Sequence, residues 1–157
     1  QSRSSAASDV YKRQGVYSKE LCLIFAEVLL ILGSNHVMAV SGMDGMDEIS
    51  ISGPTFIAEL KNKQVKSYKI TPEDFNIPLG SIEDIKVENV EQSKQVIMHI
   101  LEGKNSTARN IAILNAGAAI YISGLAPDLH LGIQKAISVI DEGHAMAKLN
   151  ELVKESN

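Results

Sequence analysis

The sequence predicts an α/β fold in which a mixed or partly parallel sheet is flanked by helices. The short apolar run His36 to Val40 reads as a strand, and Phe56 to Leu60 and Val65 to Ile70, joined by a polar turn, are two further strand candidates. Segments with three-to-four-residue apolar spacing lie on either side of them. Ser18, Asn89, Ser106 and Asp128 stand immediately ahead of four such segments, in the position that caps orphan N–H groups at a helix start.

Residues Gln1 to Gln14 (QSRSSAASDVYKRQ) are Ser-rich and basic with almost no apolar periodicity, whereas ordinary globular patterning begins at Gly15. The chain divides accordingly into a leader at 1–14, read as a translated leftover of separate origin, and an α/β domain at 15–157. An organellar targeting arm is the competing reading of the leader, opposed by its shortness and weak amphipathicity.

Lys19 to Leu32 (KELCLIFAEVLLIL) is a helix opened by Ser18 and closed by Gly33, which suits a left-handed C′ position. Leu21 to Leu32 is too short for a hydrocarbon core of about 30 Å, and Glu27 interrupts it. So apolar a helix is expected to be buried, or covered by a segment the chain lacks. His36 to Val40 reads as a buried strand delivering the loop SGMDG. Ile49 to Ser52 alternates with period two and reads as strand-like until Gly53-Pro54 breaks it. The KNKQ link between the next two runs suggests a hairpin, with helix competing over Thr55 to Leu60.

Thr71-Pro72-Glu73-Asp74 has the residues of a short helix start. Asn89 and Gln92 are spaced as a capping-box variant ahead of a helix over Val90 to Glu102. Ser106 opens a central helix in which Ile111, Leu114, Ala118 and Tyr121 share a face and Gly117 admits a close neighbour. Asp128 caps a further helix, and the last runs through Met146, Leu149 and Val153.

The formal net charge of −4, with three Phe, four Tyr and no Trp, argues against a basic aromatic nucleic-acid platform. Cys22 is the single cysteine, so neither an intrachain disulfide nor a thiolate zinc cluster can form, and a reducing, cytoplasmic setting is expected. No membrane association is expected.

Asp44-Gly45-Met46-Asp47-Glu48 gathers carboxylates in a loop after a predicted strand, where α/β proteins keep their sites. Such oxygen clusters suit Mg²⁺, which keeps several waters and is commonly held by one or two carboxylates plus substrate phosphates. By spacing alone the signal is weak, and a solvated acidic loop is the favoured reading. His36, His99, His130 and His144 are scattered and match no catalytic motif.

The stretch DGMDEISISGPT, followed by YKITPEDF and then ARNIAILNAGAAIYISG, with GVYSKEL leading in at Gly15, resembles the anthranilate phosphoribosyltransferases. The resemblance runs from Gly15 to about Val153. It implies the C-terminal portion of a phosphoribosyltransferase α/β domain of the nucleoside-phosphorylase-like glycosyltransferases. It implies transfer of phosphoribosyl from phosphoribosyl pyrophosphate to anthranilate, with release of pyrophosphate, in tryptophan biosynthesis. By the same resemblance Asp47 and Glu48 are the ligands of a Mg²⁺ accompanying the pyrophosphate, Asp44 orders the loop, and the full-length protein is a homodimer.

The family's glycine-rich Gly-Thr-Gly-Gly-Asp loop and its Lys-His-Gly-Asn-Arg segment have no counterpart here, and no two glycines are adjacent. Lys86 to Asn89 (KVEN) also departs from the glycines often found there. The chain by itself is therefore expected to be inactive and prone to association. Two alternatives carry different tests: a paralogue of the same fold turned to nucleic-acid binding predicts salt-dependent DNA affinity, and a nucleoside phosphorylase predicts nucleobase release.

Overall fold

Four strands, β1 (Tyr11–Gly15), β2 (His36–Gly42), β3 (Thr55–Lys61) and β4 (Gln64–Ile70), form one sheet in sequence order. The computed structural model describes residues 11–156. β1 and β2 are parallel and are joined through helix α1 (Lys19–Ile31), while β2, β3 and β4 pair antiparallel. The sheet is thus mixed, as the sequence predicts. Helices α2 (Val90–Leu101), α3 (Thr107–Ile122), α4 (Leu129–Asp141) and α5 (His144–Ser156) complete the chain after two short 3-10 turns.

The two-residue period of β2 divides the core into layers. Met38 and Val40 face Ile113, Leu114, Ala118 and Tyr121 of α3. Ala39 lies with Cys22 and Ala26 of α1, and Val37 with Leu29. Covered on both sides, β2 is buried along its whole length, which explains its unbroken apolar run. The β3–β4 turn is made by Asn62 and Lys63 at φ of 53° and 60°, the two-residue geometry that matches strand twist. Strand therefore prevails over helix at Thr55 to Leu60.

The caps predicted at Ser18, Asn89, Ser106 and Asp128 are made, accepting from the backbone N–H of Leu21, Gln92, Arg109 and Leu131, whereas at Thr71 it is the backbone N–H that donates to Asp74. Gly33 takes φ of +87° just past α1. α3 is the central helix, and at Gly117 it meets α4 backbone to backbone: a Cβ there would lie 2.6 Å from the Cα of Ile133.

A buried polar cluster sits where β2 begins. Glu59 accepts hydrogen bonds from Tyr121 at Oε1 (2.6 Å) and from Tyr68 at Oε2 (2.8 Å), and His36 Nε2 lies 2.8 Å from Oε1. Burial alone would raise the Glu59 carboxyl, but His36, Tyr121 and Tyr68 hold it below its ordinary value. Among the described residues, no helix is long and apolar enough to cross a membrane.

Two expectations are revised and a third is met on one face only. Tyr11 to Gln14, grouped with the leader, form most of β1; the strand is held by its ladder to His36–Val40 and not by an apolar face, so periodicity could not show it. Residues 1–10 of that leader lie outside the described residues. Ile49 and Ile51 are buried as their alternation implies, yet the segment joins no ladder, because Ser50 N–H turns to Thr55 Oγ1 and Ser52 N–H to Ser50 Oγ. Burial of α1 is one-sided: Cys22, Ala26 and Leu29 are inside, while Ile31 and Leu32 are 83% and 73% exposed.

Candidate metal centre

β2 delivers its chain at Gly42 into a turn that packs on itself. Gly42 N–H donates to Met46 O (2.8 Å), and Met43 N–H reaches Pro54 O at 2.9 Å. Inside the turn the Asp44 carboxylate accepts from the Ser50 and Ser52 hydroxyls and from Met46 N–H. Desolvation pushes the Asp44 carboxyl up, but these hydrogen bonds outweigh it and hold the group below its ordinary value. Asp44 is engaged in ordering the loop, the part expected of it.

Two further contacts seat the other half of the turn. Asn115 of α3 accepts Ile49 N–H at 2.9 Å and donates to Ile49 O at 3.0 Å, closing a two-bond clamp on the backbone next to Glu48. Gly15 at the end of β1 lies directly against Asp47: a Cβ on Gly15 would stand 1.5 Å from the Asp47 carbonyl oxygen. Only a residue without a side chain lets the turn settle there.

Asp47 and Glu48 are thereby presented as neighbours at the C-terminal end of β2, the end at which parallel strands place ligands. Asp47 opens onto a cleft of about 330 Å³ between Gly15–Tyr17 and the Leu21 and Phe25 side chains of α1. The Glu48 carboxylate is 2.6 Å from the Arg13 guanidinium. Among the described residues, no group of three or more His, Cys, Asp and Glu is placed to hold a metal. Two hard oxygen donors on an open turn suit Mg²⁺, whose remaining positions go to water and phosphate, and do not suit a closed structural zinc site.

The histidines stay outside this centre. His36 is buried against Glu59, and His99, His130 and His144 are on the surface. Sequence reasoning missed Gly15, Asn115 and Arg13. Asn115 left a signal, since an amide within so apolar a helix must find partners when half-buried. Gly15 left none, because its role depends on a loop distant in sequence.

Comparison with known proteins agrees with this architecture. The model of the family described as "Glycosyl transferase family, a/b domain" matches residues 5–146, so the match begins inside the stretch grouped with the leader. Anthranilate phosphoribosyltransferases of Vesicomyosocius okutanii and Ruthia magnifica are 48% and 49% identical over 142 residues, which is 90% of this chain and 42% of each relative. The crystal structure of anthranilate phosphoribosyltransferase from Thermus thermophilus superimposes with a TM-score of 0.81 at 28% identity, covering 89% of this chain and 41% of that one. A Saccharomyces cerevisiae anthranilate phosphoribosyltransferase in complex with PRPP and Mg shares the fold with a TM-score of 0.79 at 23% identity and covers 90% of this chain and 41% of its own. The chain therefore spans about two fifths of the length of the curated relatives it matches. Together, the mixed sheet, the acidic turn at its β2 end and a match over most of the sequence show that this chain belongs to the glycosyl transferase family, as part of its α/β domain.

Proposed function

We propose that the chain is the C-terminal part of an anthranilate phosphoribosyltransferase, a soluble cytoplasmic enzyme that transfers phosphoribosyl from phosphoribosyl pyrophosphate to anthranilate in tryptophan biosynthesis. The observation that carries this reading is the placing of Asp47 and Glu48 side by side on a turn clamped by Asp44, Asn115 and Gly15. A bound Mg²⁺ would neutralise charge developing on the departing pyrophosphate. Asp47 and Glu48 would hold that ion, and the clamp fixes the backbone that carries both carboxylates. The cleft beside Asp47 is lined by no Lys or Arg, so the remaining phosphate donors and the homodimer contacts are proposed to come from the portion that relatives carry and this chain does not match.

Complementation tests the reading. The purified chain with anthranilate, phosphoribosyl pyrophosphate and Mg²⁺ is expected to give no turnover. Co-expression with the unmatched N-terminal portion of the Vesicomyosocius okutanii relative is expected to give a complex that forms phosphoribosyl anthranilate, with turnover abolished by D47N together with E48Q. A co-purifying complex without turnover, or turnover indifferent to that double change, overturns it.

A further inference from the structure

We propose that Arg13 is an internal cation occupying the Glu48 arm of the divalent-metal centre, so that a metal ion enters by displacing it. The proposal rests on the reading of Asp47 and Glu48 as metal ligands. The contact itself is independent of that reading.

Arg13 Nη1 lies 2.6 Å from Glu48 Oε2 and 3.1 Å from Asn115 Oδ1. The Arg13 side chain is 21% exposed and that of Glu48 39%, so the pair is partly withdrawn from water and weakly screened. A guanidinium cannot leave by losing its proton. A dication approaching Glu48 is repelled by a guanidinium bound to the same carboxylate, so metal binding there is favoured when the Arg13 side chain swings away.

The surrounding geometry separates this role from a structural one. Asn115 keeps its two bonds to the Ile49 backbone, and one to Ile111 O, whether or not Arg13 is present. Asp44 keeps its bonds from Ser50, Ser52 and Met46. The turn is thus held by contacts that do not involve Arg13, and losing the guanidinium frees the Glu48 carboxylate without releasing its backbone. Arg13 stands in β1 opposite Met38. Metal binding and the Arg13–Glu48 contact should oppose one another, each weakening the other by the same factor.

The test is a titration of the whole chain with Mn²⁺, following the spin-resonance signal of the free ion, with Mg²⁺ as competitor at fixed ionic strength. Arg13→Met is expected to bind roughly fivefold more tightly than the unaltered chain, the scale of a partly exposed ion pair. Arg13→Lys, which retains a cation, is expected to stay nearer the unaltered chain. Glu48→Gln is expected to bind weakly whatever stands at position 13. In the unaltered chain the Arg13 Nε–H resonance is expected to shift during the Mg²⁺ titration with the midpoint of binding, which removes any dependence on how well the variants fold. Equal Mn²⁺ affinity in Arg13→Met and the unaltered chain, or an unmoved Arg13 resonance, overturns the proposal and leaves the metal centre standing. Absence of Mn²⁺ binding in every form overturns both.

Discussion

Replacing Gly15 with alanine probes whether the acidic turn is seated by backbone contact. The added Cβ would lie 1.5 Å from the Asp47 carbonyl oxygen, 2.6 Å from its carbon and 3.4 Å from its Cα. None of these is the far end of a flexible side chain. Restoring an ordinary carbon–oxygen approach requires the strand end or the turn to move by roughly 2 Å. Overpacking of this kind costs about 1–3 kcal/mol. In a chain of this length each kcal/mol is worth about 2–4 °C, so the melting temperature should fall by roughly 2–12 °C. If the turn yields first, stability changes less, but Asp47 is carried away from its place beside Glu48 and Mn²⁺ affinity drops. Gly53→Ala is the control, since a Cβ there meets nothing within 4 Å. Thermal unfolding by circular dichroism and Mn²⁺ titration, run on both variants, decide the matter. A Gly15→Ala protein that matches Gly53→Ala in melting temperature and in metal affinity refutes the reasoning.

Asp44→Ala removes the acceptor for the Ser50 and Ser52 hydroxyls and for Met46 N–H, and should show as faster amide hydrogen exchange at Met46 and Ser52 with weaker Mn²⁺ binding. The Glu59 carboxyl titrates lower in the folded protein than in the unfolded chain. Its contribution is therefore complete above the unfolded value of about 4.3 and is lost as pH falls through the folded one. Urea unfolding should thus show stability declining below about pH 4.3, with that part of the slope missing in Glu59→Gln, itself weaker at neutral pH by about 1–3 kcal/mol. Gly117→Ala sets a Cβ 2.6 Å from Ile133 Cα and 2.7 Å from its N, and thermal unfolding should register a loss of about 1–3 kcal/mol. Ile31→Lys with Leu32→Glu, at positions 83% and 73% exposed, should leave the melting temperature nearly unchanged while reducing concentration-dependent association in sedimentation velocity.

Elements whose signal is local were legible in the sequence. The caps at Ser18, Asn89, Ser106 and Asp128 work over three residues, and the hairpin at Asn62-Lys63 needs only the two runs beside it. β2 was legible because burial on both faces leaves no choice but a continuous apolar run. β1 was not, since an edge strand carrying Lys12, Arg13 and Gln14 presents no apolar period and exists through its ladder. The alternation at Ile49 to Ser52 misled for a related reason: both isoleucines are buried, but the two serines serve Asp44 instead of facing water from a strand. At the centre itself, Asp47 and Glu48 were visible as a motif, whereas their supports at Gly15 and Asn115 lie far off in sequence and become visible only when the fold brings them together.

The supports also determine what can be measured on this chain. Gly15 comes from β1, Asn115 from α3, and Thr55, which accepts Ser50 N–H at 2.9 Å, from β3. The turn is therefore anchored to the sheet and to the central helix by residues the chain itself contains, and no outside segment is needed to shape it. Donors for the phosphates are a separate requirement, because two carboxylates can hold a Mg²⁺ but repel the anion it accompanies. Metal affinity and turnover should consequently part company: the chain by itself should bind Mn²⁺ through Asp47 and Glu48 yet turn over no substrate. The complemented complex should gain turnover, with the same dependence on both carboxylates. Metal binding that appears only in the complemented complex would mean that the turn is shaped from outside after all, against the clamp described by Asp44, Asn115 and Gly15.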